Sequence, residues 1–150
     1  MKASAVRRWT AFHEAGHAVV RLVRTGAATA IDIGANGHGY SHGTGKETRL
    51  VDRIEIALAG PLAEARVRKV SAAVTYRLGG AADLDKAKSD ARKWGEAMGG
   101  DERAIFVEAE QHARDLLRAH WPAVERLAAA AIMRGSLTSS EVAEISAIKA

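Results

Sequence analysis

His13-Glu14-Ala15-Gly16-His17 sets two imidazoles four residues apart, with a carboxylate directly after the first. On a helix, four residues turn through about 400° and rise about 6 Å, so both rings project from one face and can grip a single ion. Glu14 lies about 100° round from His13, too far to join that grip but within reach of a water on the metal. It therefore suits a general base better than a ligand. H-E-x-x-H on a helix is the pattern of metal-assisted hydrolysis. A helix that merely carries two surface histidines and a glutamate would leave Gly16 unexplained, since a helix-interior glycine costs about 1 kcal/mol relative to alanine. Glycine at that position allows another element to approach the helix closely. A catalytic zinc needs a third protein ligand and an open position. The chain has no cysteine, which restricts transition-metal ligands to His, Asp and Glu. Downstream candidates are Glu64, Asp83, Asp85, His38 and His42.

The elements that must hold these groups follow from periodicity. From Ser4 to about Arg24, Val6, Phe12, Ala15, Val19, Val20 and Val23 recur at steps that give an amphipathic helix. Thr25-Gly26 ends it. Residues 29 to 33 alternate as a short strand, and the glycine-rich loop after it, Gly34 to Gly45, leaves room for a second strand or hairpin. From about Thr48 to Val70 the pattern is helical, with Gly60-Pro61 expected to kink or divide the helix. Glu64 lies just past that point. After Gly79-Gly80, Asp83 opens a helix through Ala87 and Ala91 to Trp94, which stops at Gly99-Gly100. Asp83 could equally serve there as an N-cap. Helices over roughly 101 to 119 and 122 to 134 follow, the latter with Pro122 at its first position. Thr138-Ser139-Ser140-Glu141 is a capping box for a last short helix.

Composition bounds the rest. At 150 residues the chain fits one domain, residues 1–150, with one core. Aromatics at 5% leave alanine and leucine as the main packing material of a mainly α fold. The net charge of +4 would favour nucleic acid only if it were clustered. Arg66, Arg68 and Lys69, like Lys86, Lys88, Arg92 and Lys93, sit at helical spacings that read as solvated faces. No nucleic-acid partner is expected. Neither a signal peptide nor a membrane span is visible, which points to a cytoplasmic protein without a membrane anchor.

Three stretches together resemble the peptidase domain of the FtsH family of membrane-associated, ATP-dependent zinc proteases. Phe12-His13-Glu14-Ala15-Gly16-His17-Ala18-Val19 is similar to that family's metal helix almost letter for letter. Leu58-Ala59-Gly60-Pro61-Leu62-Ala63-Glu64 is similar to its glycine-containing helix, and Gly80-Ala81-Ala82-Asp83-Leu84-Asp85-Lys86-Ala87 to the segment that supplies its third ligand, with Ala82 in place of the usual asparagine. The later helices fit more loosely. The resemblance implies a helical zinc-peptidase domain with a small two- to three-stranded β element near residues 29–45. It implies Zn2+ on His13, His17 and Asp83, with Glu14 as base and Glu64 orienting a ligand histidine. Glu64 as the third ligand is the competing assignment.

The family's ATPase module and anchor have no counterpart here. The nearest approach to a phosphate-binding loop, Gly39 to Lys46, fails at Tyr40 and Glu47. The expected activity is therefore a zinc endopeptidase acting without ATP on unstructured or loosely folded proteins, with a separate ATPase or further copies of the chain as open partners. Substrate is expected to pair with the edge of the Ile31–Ile33 strand. Tyr40, His38 and His42 in the glycine-rich loop are the candidates to assist an oxyanion, the two histidines reading first as solvated loop residues. The alternative is a catalytically weak, peptidase-like binding or regulatory module.

Overall fold

The computed structural model describes residues 3–34, 39–41 and 48–149. His38 and His42 lie outside them. The fold is mainly α, as expected. Helix α1 (Ala3–Thr25) is followed by strands β1 (Ile31–Ile33) and β2 (Gly39–Ser41), then α2 (Leu50–Arg68), α3 (Ala72–Arg77), α4 (Ala81–Met98), α5 (Glu102–Ala119) and α6 (Trp121–Arg134). Strand β3 (Ser136–Leu137) and helix α7 (Ser139–Ser146) complete it.

Helix α2 is the hub, packed against α1, α3, α4 and α5. Every residue from Ile54 to Ala65 is buried. A helix apolar or small on all sides belongs in the middle of a bundle, and the run Ile-Ala-Leu-Ala-Gly-Pro-Leu-Ala meets that requirement. Gly60-Pro61 does not divide it: α2 is one helix through Pro61. Burial on all sides overrides the local penalty of about 3 kcal/mol for an interior proline. Residues Ala11 to Val20 of α1 are likewise buried without a break. Among small residues the two helices approach closely. A Cβ added at Gly16 would lie 2.6 Å from the Ala59 carbonyl oxygen and 2.7 Å from the Ala63 Cβ, which accounts for the glycine.

Chain ends of the helices follow local chemistry. Gly26 and Gly99 adopt positive φ of 72° just past α1 and α4, the left-handed conformation in which glycine carries no Cβ penalty. Asp101 caps α5 by accepting from the amides of Arg103 and Ala104. Thr138 and Glu141 form the expected reciprocal capping box on α7. Helix α4 starts at Ala81, with Gly80 as N-cap; Asp83 sits inside the first turn and is neither the opening residue nor the cap. Helix α3 occupies a stretch with no pattern long enough to announce it.

The sheet has order β2-β1-β3, all antiparallel. Ile31 pairs with Ser41 on one side and Leu137 on the other, and Asp32 with Tyr40 and Ser136. The third strand therefore comes from near the C-terminus, outside residues 29–45. With both edges of β1 taken, the expectation that substrate adds to the Ile31–Ile33 edge is corrected. The outer strands are β2 and β3.

Candidate metal centre

His13 and His17 lie one turn apart at the middle of α1 and are each 8% exposed; Glu14 is 5% exposed. Potential ligand atoms of the three lie within 4.8 Å of one another. The rings meet edge to face, centroids 4.8 Å apart. Gly60 of α2 makes the room for His17: an added Cβ there would come within 2.6 and 2.7 Å of the imidazole carbons.

Each ring is held by its Nδ1. His17 Nδ1 donates to the Ile56 carbonyl at 2.7 Å, and His13 Nδ1 lies 3.0 Å from Glu64 Oε1. A carbonyl can only accept, so His17 carries its hydrogen on Nδ1. Glu64 enforces the same on His13, because its carboxyl is held below the ordinary range. Burial of Glu64 opposes ionisation, but the hydrogen bonds from His13 and Arg68 outweigh it. Both Nε2 atoms are left to face outward, and both meet one oxygen: His13 Nε2 lies 2.8 Å and His17 Nε2 3.2 Å from Asp83 Oδ2.

Two nitrogen lone pairs and a carboxylate oxygen at these distances repel unless a cation lies among them. A proton or a divalent metal satisfies that demand, so the donor set fits zinc: two neutral imidazoles presenting Nε2, plus one carboxylate. Without metal the proton takes this role. Burial alone would lower the His13 pKa, but the hydrogen bonds to Asp83 and Glu64 prevail and raise it to about 10. Asp83 is moved the opposite way: burial raises it, but the charge of His17 and the hydrogen bonds from both rings hold it well below the carboxylate range.

Asp83 reaches the rings through a joint between helices. The Thr75 hydroxyl of α3 donates to the Pro61 carbonyl at 3.0 Å. Gly80 then packs so tightly that an added Cβ would lie 2.8 Å from both Pro61 Cγ and the Thr75 carbonyl oxygen. Asp83 follows one turn later. Of the other candidate acids, Glu64 is brought to His13 on the side away from Asp83, and Asp85 is exposed.

Sequence reading missed Arg68. Its Nη1 donates to Glu64 Oε2 at 2.6 Å, its side chain is only 14% exposed, and its guanidinium lies 4.1 Å from the Trp9 ring centroid. It does not belong to a solvated face, unlike Lys86, Lys88, Arg92 and Lys93, which are exposed. The i,i+4 spacing from Glu64 was the available signal.

No known family profile matches the chain. It is similar to the ATP-dependent zinc metalloprotease FtsH 1 of Symbiobacterium thermophilum, 34% identical over an alignment of 177 positions that takes in 93% of this chain. The chain spans 29% of that protein's length. This similarity supports an FtsH-related protease domain. Among the described residues, no helix is long and apolar enough to cross a membrane.

Proposed function

We propose that this chain is a zinc-dependent endopeptidase domain of the FtsH type, hydrolysing peptide bonds in unstructured or loosely folded proteins. One observation carries the reading: two Nε2 atoms, with both Nδ1 positions already engaged, converge on a single Asp83 oxygen. In this reading His13, His17 and Asp83 hold the metal, and Glu64 orients His13. Zinc, when bound, supplies a Lewis acid that lowers the pKa of a coordinated water and polarises the scissile carbonyl. Glu14, next to His13 and buried beside both rings, accepts the proton of the attacking water and delivers it to the departing amine. The Ile56 carbonyl and Glu64 keep the imidazoles from rotating while this happens. Peptide hydrolysis itself consumes no nucleotide, so the domain needs only a substrate flexible enough to enter.

Glu14→Gln tests the assignment, because it removes the base and keeps the shape. Cleavage of a fluorescently labelled, denatured protein should fall at least about 100-fold, the lower range for loss of a general base, while zinc content measured by atomic absorption stays at the wild-type level. Wild-type cleavage rates in the variant would rule out Glu14 as base, and chelator-insensitive cleavage by the parent protein would rule out the metal.

A further inference from the structure

Glu64 is buried, and its two oxygens are divided between partners. One meets His13 Nδ1 at 3.0 Å, the other Arg68 Nη1 at 2.6 Å. Arg68 in turn rests on the indole of Trp9, in the first half of α1. We propose that Arg68 is a positioning residue of the metal centre: stacked on Trp9 and bonded to Glu64, it fixes the carboxylate that holds His13 with Nε2 toward the metal. The proposal rests on the zinc reading above and extends it to a residue that touches no ligand of the metal directly.

The link is geometric. Arg68 follows Glu64 by four residues, so the pair shares one face of α2, and the indole under the planar guanidinium limits where its N–H groups can aim. Trp9 precedes His13 by four residues on the same helix, so the platform and the ligand belong to one rigid element. Trp9, Arg68, Glu64 and His13 form a closed loop between α1 and α2.

Arg66 provides an internal control. It too stacks on an indole, at 4.0 Å from the Trp121 ring centroid, two residues from Arg68 at the same end of α2, but away from Glu64. The experiment measures zinc affinity by competition with a chromogenic chelator, and the cobalt(II) absorption spectrum as a report on ligand geometry, in proteins whose folding is checked by circular dichroism. Arg68→Gln should weaken zinc binding by about tenfold, the low end of the range for partners behind a ligand histidine, and alter the cobalt spectrum. Arg68→Lys, which keeps the charge without the fork, should recover part of the loss. Arg66→Gln should stay within about twofold of wild type, since only a surface stacking contact is lost. If Arg68→Gln does not fold, Trp9→Leu, which leaves the Arg68–Glu64 pair in place, should still weaken binding by about threefold. Unchanged affinity in Arg68→Gln or, where that variant is unfolded, in Trp9→Leu overturns the proposal, as does an equal loss in Arg66→Gln. A wild-type protein that takes up neither zinc nor cobalt overturns the metal reading itself.

Discussion

Asp83 meets two imidazoles and Glu64 an imidazole and the Arg68 guanidinium, whereas two other acids on the same helices are held by guanidinium groups, Glu55 with the half-exposed His112 imidazole also 3.6 Å from its second oxygen. Glu55 of α2, 2% exposed, lies 2.7 Å from Arg24 Nη2, and Asp90 of α4, 1% exposed, lies 3.2 Å from Arg53 Nη2. Glu55, Glu64 and Asp90 are buried and Asp83 largely so, and all four have a cationic partner. The partners differ in what they can give up. Arginine never releases its proton, so Glu55–Arg24 and Asp90–Arg53 can only be intact or broken. An imidazole can exchange its proton for a metal, and Asp83 keeps a quarter of its side chain accessible, so the cation there is replaceable. The second region staples helices; the first can do chemistry with the same kind of buried charge.

The contrast breaks most sharply at Asp83. Asp83→Ala should lower zinc affinity by more than the roughly 100-fold that bounds partners behind the ligands, while leaving Arg53–Asp90 and Arg24–Glu55 intact. Chelator competition reads it, and near wild-type affinity would remove Asp83 from the ligand set. Arg53→Met should do the reverse. Stranding the Asp90 carboxylate should cost roughly 2–3 kcal/mol in urea unfolding, below the 3–5 typical of fully buried pairs because Arg53 reaches the surface. Zinc affinity should not change. A joint loss of stability and affinity would mean that the two regions are one network.

The smallest effect is in pH. In the metal-free protein His13 is raised from 6.5 to about 10, burial working against the shift and its bonds to Asp83 and Glu64 producing it. A raised folded-state pKa contributes stability that is complete below pH 6.5 and lost as pH climbs toward 10. Asp83, lowered when folded, contributes above its ordinary value of 3.8 and loses that contribution in acid. The metal-free protein should thus weaken from neutral to alkaline pH. Zinc must displace the His13 proton, so its affinity should rise about tenfold from pH 7 to pH 8. Affinity that is flat across this interval would show that no proton leaves the site.

What could be read in the sequence divides along range. His13, Glu14 and His17 were legible because a single turn of helix relates them, and the α1 period is independent of the motif. Asp83 and Glu64 became legible through resemblance; periodicity alone left them beside Asp85, His38 and His42. Arg68 was hidden because a basic residue on a helix is by default solvated, and the i,i+4 spacing from Glu64 does not reveal Trp9 beneath it. Strand pairing is the longest-range feature, and there the reading of β1 as an edge failed: Ser136–Leu137, a strand of two residues, carries no alternation to announce it. Gly60-Pro61 does not divide α2, and the room that His17 needs at Gly60 is a tertiary demand which local propensity does not contain.

The two imidazoles stand in register as soon as α1 coils, but Asp83 trails His17 by 66 residues and arrives only once Gly80 is seated on Pro61. A ligand gripping all three groups therefore binds the finished bundle in preference to the nascent chain, and its binding energy adds to the free energy of folding. The cation would be a latch as well as a reagent, closing the first helix onto the fourth.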